Sequence, residues 1–122
     1  MKVKIDTKEK FVVVTIEEEH ITANMTEELN HTLLPYMNTE QNNIVLNLKH
    51  TLELHVVAGE TIAGIQQAFY DANHSMVVCC LQPGVEKILD ENELLEVMNV
   101  TPTESEAGDI VQMEEIEREL LL

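Results

Sequence analysis

Three short apolar runs constrain this chain more than any other feature: Phe11-Val12-Val13-Val14-Thr15-Ile16, Ile44-Val45-Leu46-Asn47-Leu48 and Met76-Val77-Val78-Cys79-Cys80-Leu81. Each is near-continuous and rich in β-branched residues, the pattern of a strand covered on both faces. The stretches between them carry apolar residues at helical spacing. Met25, Leu29 and Leu33 fall on one face, as do Ala58, Ile62, Ile65, Phe69 and Ala72. Strands alternating with helices require crossover connections and a largely parallel sheet. With two Phe, two Tyr and no Trp, the core must come from aliphatic packing.

The remaining elements follow from local signals. Lys2 to Asp6 reads as a strand joined to Phe11–Ile16 by the polar hairpin turn Thr7-Lys8-Glu9-Lys10. Asn24 with Glu27 has capping-box spacing and should open the first helix, which Pro35 should end or kink. The second helix spans Gly59 to Asn73, with Asn73-His74-Ser75 as its stop. Pro83 opens a short helix with Val85, Ile88 and Leu89 inward. Glu96 to Val100 is the last strand. Thr103 with Glu106 caps a terminal helix whose core stripe is Ala107, Ile110, Met113, Ile116 and Leu120. The order is β-β-α-β-α-β-α-β-α: an α/β fold with a four- to five-stranded, mostly parallel mixed sheet and about four helices. Residues 1–122 form one domain with an extended acidic C-terminal helix over about 103–122.

Charge and cysteine usage narrow the function. The formal charge of −16 repels phosphate backbones and anionic lipid surfaces, so neither nucleic acid nor membrane is an expected partner. Lys2, Lys4, Lys8 and Lys10 are the only basic cluster and read as a solvated strand face. The acidic C-terminal third serves solubility or a basic partner. Cys79 and Cys80 are adjacent, which strains disulfide geometry; alternation puts them on opposite faces of a buried strand, as small hydrophobes suited to a reducing cytoplasm. No signal peptide and no membrane-length apolar run is visible.

No chemistry-bearing constellation emerges. Gly59, Gly64, Gly84 and Gly108 are too dispersed for a phosphate-cradling loop, no zinc spacing exists, and no two of the five histidines share a helical face. Catalytic, cofactor-binding and metal residues are all expected to be none, and the protein is not expected to be an enzyme. A pocket near Cys79 or Cys80 would be needed for the rival reading, a ligand-binding or thiol enzyme.

The strings "VLNL", "MVVC" and "PGVEKIL", at Val45–Leu48, Met76–Cys79 and Pro83–Leu89, occur with a spacing that resembles a STAS domain of the anti-sigma-factor antagonist family. The likeness covers about residues 3 to 112 and is strongest over 44 to 100. It implies the STAS-like fold, a protein partner such as an anti-sigma factor or related kinase-like regulator, and a role in bacterial transcription regulation. In that family the loop before the second helix reads Asp-Ser-Ser-Gly, and its first serine is phosphorylated by the anti-sigma kinase. Here the corresponding residues are His55, Val56, Val57 and Ala58; a one-residue shift gives Val56 to Gly59, again without a hydroxyl. An early Glu-Leu-Asp signature appears as His20-Ile21-Thr22. The resemblance thus implies protein binding without the phosphoswitch. The candidate partner surface is His20, Ile21, Thr22, Asn24, Gly59 and Glu60, together with the degenerate loop. Val56 and Val57 either extend the core into this loop or present an apolar patch. The structural alternative, a scaffold or homodimer subunit, rests on Ile116, Leu120, Leu121 and Leu122 beyond the usual family boundary.

Overall fold

The computed structural model describes residues 1–121; Leu122 lies outside the described residues. The β-branched runs pair as the pattern requires. Strands β1 (Val3–Thr7) and β2 (Val12–Ile16) form an antiparallel hairpin, closed by the Lys8 amide donating to the Phe11 carbonyl at 2.8 Å. Strands β4 (Ile44–Asn47), β6 (Met76–Cys79) and β7 (Val100–Thr101) then add in parallel, giving one five-stranded sheet ordered β1-β2-β4-β6-β7. Two further strands, β3 (His20–Ile21) and β5 (Glu53–Leu54), make a separate parallel pair that the sequence pattern does not announce.

Both faces of the central strands β2, β4 and β6 are buried, and strand alternation divides the core in two. Val12, Val14, Ile16, Ile44, Leu46, Met76 and Val78 point to one side. There they meet helices α1 (Thr26–Leu33), α2 (Val56–Asp71) and α3 (Pro83–Glu91). Phe11, Val13, Val45, Val77 and Cys79 point to the other, where the terminal helix α4 (Glu104–Leu120) covers them with Ala107 and Val111. Helices on two sides explain why these strands read as continuous apolar runs.

Several local expectations are corrected. Asn24 does not cap α1: it sits in a 3₁₀ turn (Ala23–Met25), and α1 starts at Thr26 with no side-chain cap. Helix α2 starts at Val56, three residues earlier than the Gly59 expected, because His55 supplies a cap. Its far end matches the expected stop, since Asn73 adopts φ 63°, the left-handed conformation that terminates helices, although Ala72 is exposed. Most of the expected strand Glu96–Val100 is instead a turn in which the Met98 amide donates to the Leu94 carbonyl, so that Leu94, Leu95 and Met98 reach the core together. Cys79 and Cys80 do not lie on opposite faces; Cys80 leaves the strand with φ 63° and packs with Cys79 toward α4.

Helix α4 is rotated from the expected stripe. Ala107, Gly108 and Val111 are buried, whereas Met113, Ile116 and Leu120 face outward. Two causes act together. The Phe11 ring stands where a Cβ on Gly108 would be only 3.0 Å from Cζ, so the helix presents its small-residue face to the sheet. Polar anchors share that face: Thr103 caps the helix through the Glu106 amide at 3.1 Å, Asn47 donates to Glu104 at 2.9 Å, and Asn43 donates to Glu115 at 3.1 Å. The buried Asn43 amide also binds the Lys10 carbonyl and accepts from the Ser75 amide and Arg118.

Candidate partner-binding site

The candidate site lies at the carboxyl ends of the central strands, where open α/β sheets place their ligands. Two loops meet there. The Thr51 hydroxyl donates to the Glu18 carbonyl at 2.9 Å, and the Leu52 and Glu53 amides both donate to the Glu19 carbonyl. The β3–β5 pairing continues this seam, and the His55 amide closes it on the Ile21 carbonyl at 2.9 Å. Residues 17–22 and 49–55 are therefore tied together at the mouth of α2.

His55 is the pivot. Its backbone is extended (φ −70°, ψ 143°), and its Nδ1 accepts a hydrogen bond from the Val57 amide at 3.1 Å. That bond satisfies one of the free donors of a helix N-terminus, the role usually filled by Ser, Thr, Asp or Asn. With α2 beginning at Val56, Val57 occupies the first turn and is 41% exposed. The valine pair is thus not an extension of the strand, and Val57, like Leu52 in the preceding loop, leaves an apolar side chain exposed.

Beside the helix start is an open cleft of 490 Å³ lined by His20, Ile21, Thr22, Glu53, Leu54, His55, Val56, Ile88 and Asn92. His20 Nδ1 lies 3.3 Å from Glu53 Oε2 across the β3–β5 pair; both side chains are exposed, so this contact contributes little to stability. The structure sorts the candidate surface. His20, Thr22, Asn24, His55, Val57 and Glu60 are exposed and Val56 is half-buried. Ile21, Ala58 and Gly59 are buried, and of these only Ile21 reaches the floor of the cleft. Ile21 packs as the inward member of a two-residue strand. Gly59 lies where α2 crosses α3, its missing Cβ only 3.0 Å from Leu89 Cδ2. Ile88, expected in the core, and Asn92 enter the cleft from α3, a contribution that linear spacing gave no means to see.

The hydroxyls near the loop are otherwise engaged or displaced. Thr51 is buried, and Thr61 bonds back to the Val57 carbonyl at 3.0 Å within α2. Thr22 lines the cleft from the facing loop. The cysteines lie elsewhere. Cys79 is fully buried, and burial, reinforced by its hydrogen bond with Cys80, pushes its thiol pKa well up, the opposite of an activated nucleophile. Among the described residues there is no cluster of three side chains suited to a metal, and no helix is long and apolar enough to cross a membrane.

A five-stranded mixed sheet, three helices on one face, one on the other, and a cleft at the start of α2 define an α/β fold of the STAS type. The STAS domain model matches residues 2–107 of the sequence, and the chain belongs to the STAS family. Solved structures agree at the level of fold. A substituted form of RsbS from Moorella thermoacetica superposes with a TM-score of 0.75 at 18% identity, over 97% of this chain and 99% of that one. The anti-sigma factor antagonist SpoIIAA in its unphosphorylated form gives 0.71 at 15% identity, over 91% and 96%. A STAS domain protein from Planctomyces limnophilus gives 0.66 at 15%, over 86% and 93%. Among curated proteins no sequence matches the chain.

Proposed function

We propose that this protein is a regulatory module that binds another protein through the N-terminal end of α2, and that this loop is not a phosphorylation switch. The observation that carries the reading is the loop itself. His55 caps the helix with a ring nitrogen, Val57 presents an exposed apolar side chain, and no residue from 55 to 58 has a hydroxyl. A serine at a helix start is a good switch because added phosphate meets free amides and the positive end of the helix dipole. Here the position holds valine, so the same surface supports constitutive recognition.

The partner is of the anti-sigma type, as the SpoIIAA likeness suggests, and engages the exposed Val57 and Leu52, His20 and Thr22 of the cleft, and the exposed Asn24 and Glu60. In this reading the module acts by binding alone, and the buried Cys79, whose thiol pKa burial raises, is not an activated nucleophile. Two free cysteines suit a reducing, cytoplasmic setting. The test is incubation with an anti-sigma kinase and ATP, followed by mass mapping of peptides and a binding measurement on the same sample. Binding with no phosphate on residues 55–58 is expected; phosphate there, or no binding to any anti-sigma partner, overturns the proposal.

A further inference from the structure

The outward face of α4 is not needed by the fold. Met113, Ile116 and Leu120 are 60%, 56% and 79% exposed, and their spacing of three and four places them in one stripe along the helix. The family match ends at residue 107, so the stripe lies beyond it. Acidic side chains border it: Glu117 on one side, Glu119 on the other, and Asp109 and Glu106 beyond its N-terminal end, all exposed. The single base of the helix, Arg118, turns inward and pairs with Glu115 at 2.8 Å. Beside Ile116 a groove of 310 Å³ runs between α4 and the β1–β2 turn, with Glu9 and the lone cation Lys10 on its far rim.

We infer that this face docks a cationic amphipathic helix of another protein, whose apolar stripe meets Met113, Ile116 and Leu120 while flanking Lys or Arg side chains meet Glu106, Asp109, Glu117 and Glu119. Charge selects the occupant. A second copy of this chain would bring the same carboxylates face to face, and like charges across an interface are costly. The surplus of −16 repels anionic surfaces and attracts basic segments over distances set by the Debye length. An apolar row between charged edges is the shape an amphipathic helix recognises.

The test uses the full chain and a synthetic helical peptide with a leucine stripe flanked by lysines, with a glutamate-flanked peptide of the same stripe as control. Binding is read by fluorescence anisotropy at low and high salt. The wild type should bind the lysine peptide saturably and release it as salt rises. The triple variant Met113→Ser, Ile116→Ser, Leu120→Ser keeps every charge and should bind at least about tenfold more weakly. Because those side chains are exposed, its circular dichroism should match the wild type. The variant Glu106→Gln, Asp109→Asn, Glu117→Gln, Glu119→Gln should bind more weakly and with a smaller salt dependence than the wild type. Val57→Asp should leave peptide binding unchanged, which separates this face from the α2 site. Equal binding by the triple variant, equal binding of the glutamate peptide, or no saturable binding overturns the inference. So does a dimer in sedimentation that the triple variant abolishes, since the occupant would then be a second copy.

Discussion

Replacing Gly84 by alanine sets two effects of opposite sign against each other. Gly84 is the second residue of α3, where alanine's higher helix propensity stabilises by at most about 1 kcal/mol. A Cβ at that position would lie 2.7 Å from the carbonyl oxygen of Leu52. Backbone cannot rotate out of the way as a side chain can. Relief requires the start of α3 to move from the 49–55 loop, which is tied down through Thr51, Leu52 and Glu53. Overpacking of this kind costs about 1–3 kcal/mol, so the clash wins and a net loss of about 1–2 kcal/mol is expected. Gly64 is the control: it is exposed in the middle of α2, with no atom within 4 Å of its would-be Cβ, so Gly64→Ala should gain about 0.5–1 kcal/mol. Urea denaturation gives both values, and thermal melts should move in opposite directions by roughly 4 °C per kcal/mol. If Gly84→Ala stabilises as much as Gly64→Ala, the close approach of α3 to the site loop is wrong.

Removing the helix cap with His55→Ala should cost about 1 kcal/mol in urea denaturation, and His55→Asp should restore it, because carboxylate and imidazole can both accept from the Val57 amide. Gln66 is buried in α2, donates to the Met76 and Asn99 carbonyls and accepts from the Asn99 amide, so Gln66→Ala should destabilise by about 2–4 kcal/mol, visible as a lower urea midpoint. Acid sensitivity should trace to Glu115: burial works to raise its pKa, but hydrogen bonds from Arg118 and Asn43 outweigh it and hold the carboxyl below 4.5. Its stabilisation is therefore complete above pH 4.5 and is lost as pH falls through the lower folded value, so Glu115→Gln should flatten the acid limb of the stability curve.

What could be read from the sequence depended on how many residues carried each signal. The central strands were legible because each run of apolar residues fills both faces of the sheet, and the resulting topology put the His55 loop at the mouth of α2. The β3–β5 pair was not legible, since two residues per strand give no periodicity, yet it joins His20 to Glu53 and makes the cleft wall. Helix α4 misled because it is apolar on two faces. Its spacing favoured Met113 and Ile116, whereas the Phe11–Gly108 approach and the anchors at Asn43 and Asn47 select the face of Ala107 and Val111. Gln66 gave no signal because its main-chain partners are 10 and 33 residues away.

The central claim is that the exposed start of α2 recognises a protein partner. It is tested most directly by comparing capture of the native partner, identified with wild-type protein, by the wild type and by Val57→Asp. The substitution should leave the fold intact, since Val57 is exposed and an acidic residue in a first helical turn is favoured by the dipole. The account predicts unchanged thermal stability and a partner affinity reduced at least about tenfold by the lost apolar contact and the added charge. Equal affinity for the folded variant would contradict it.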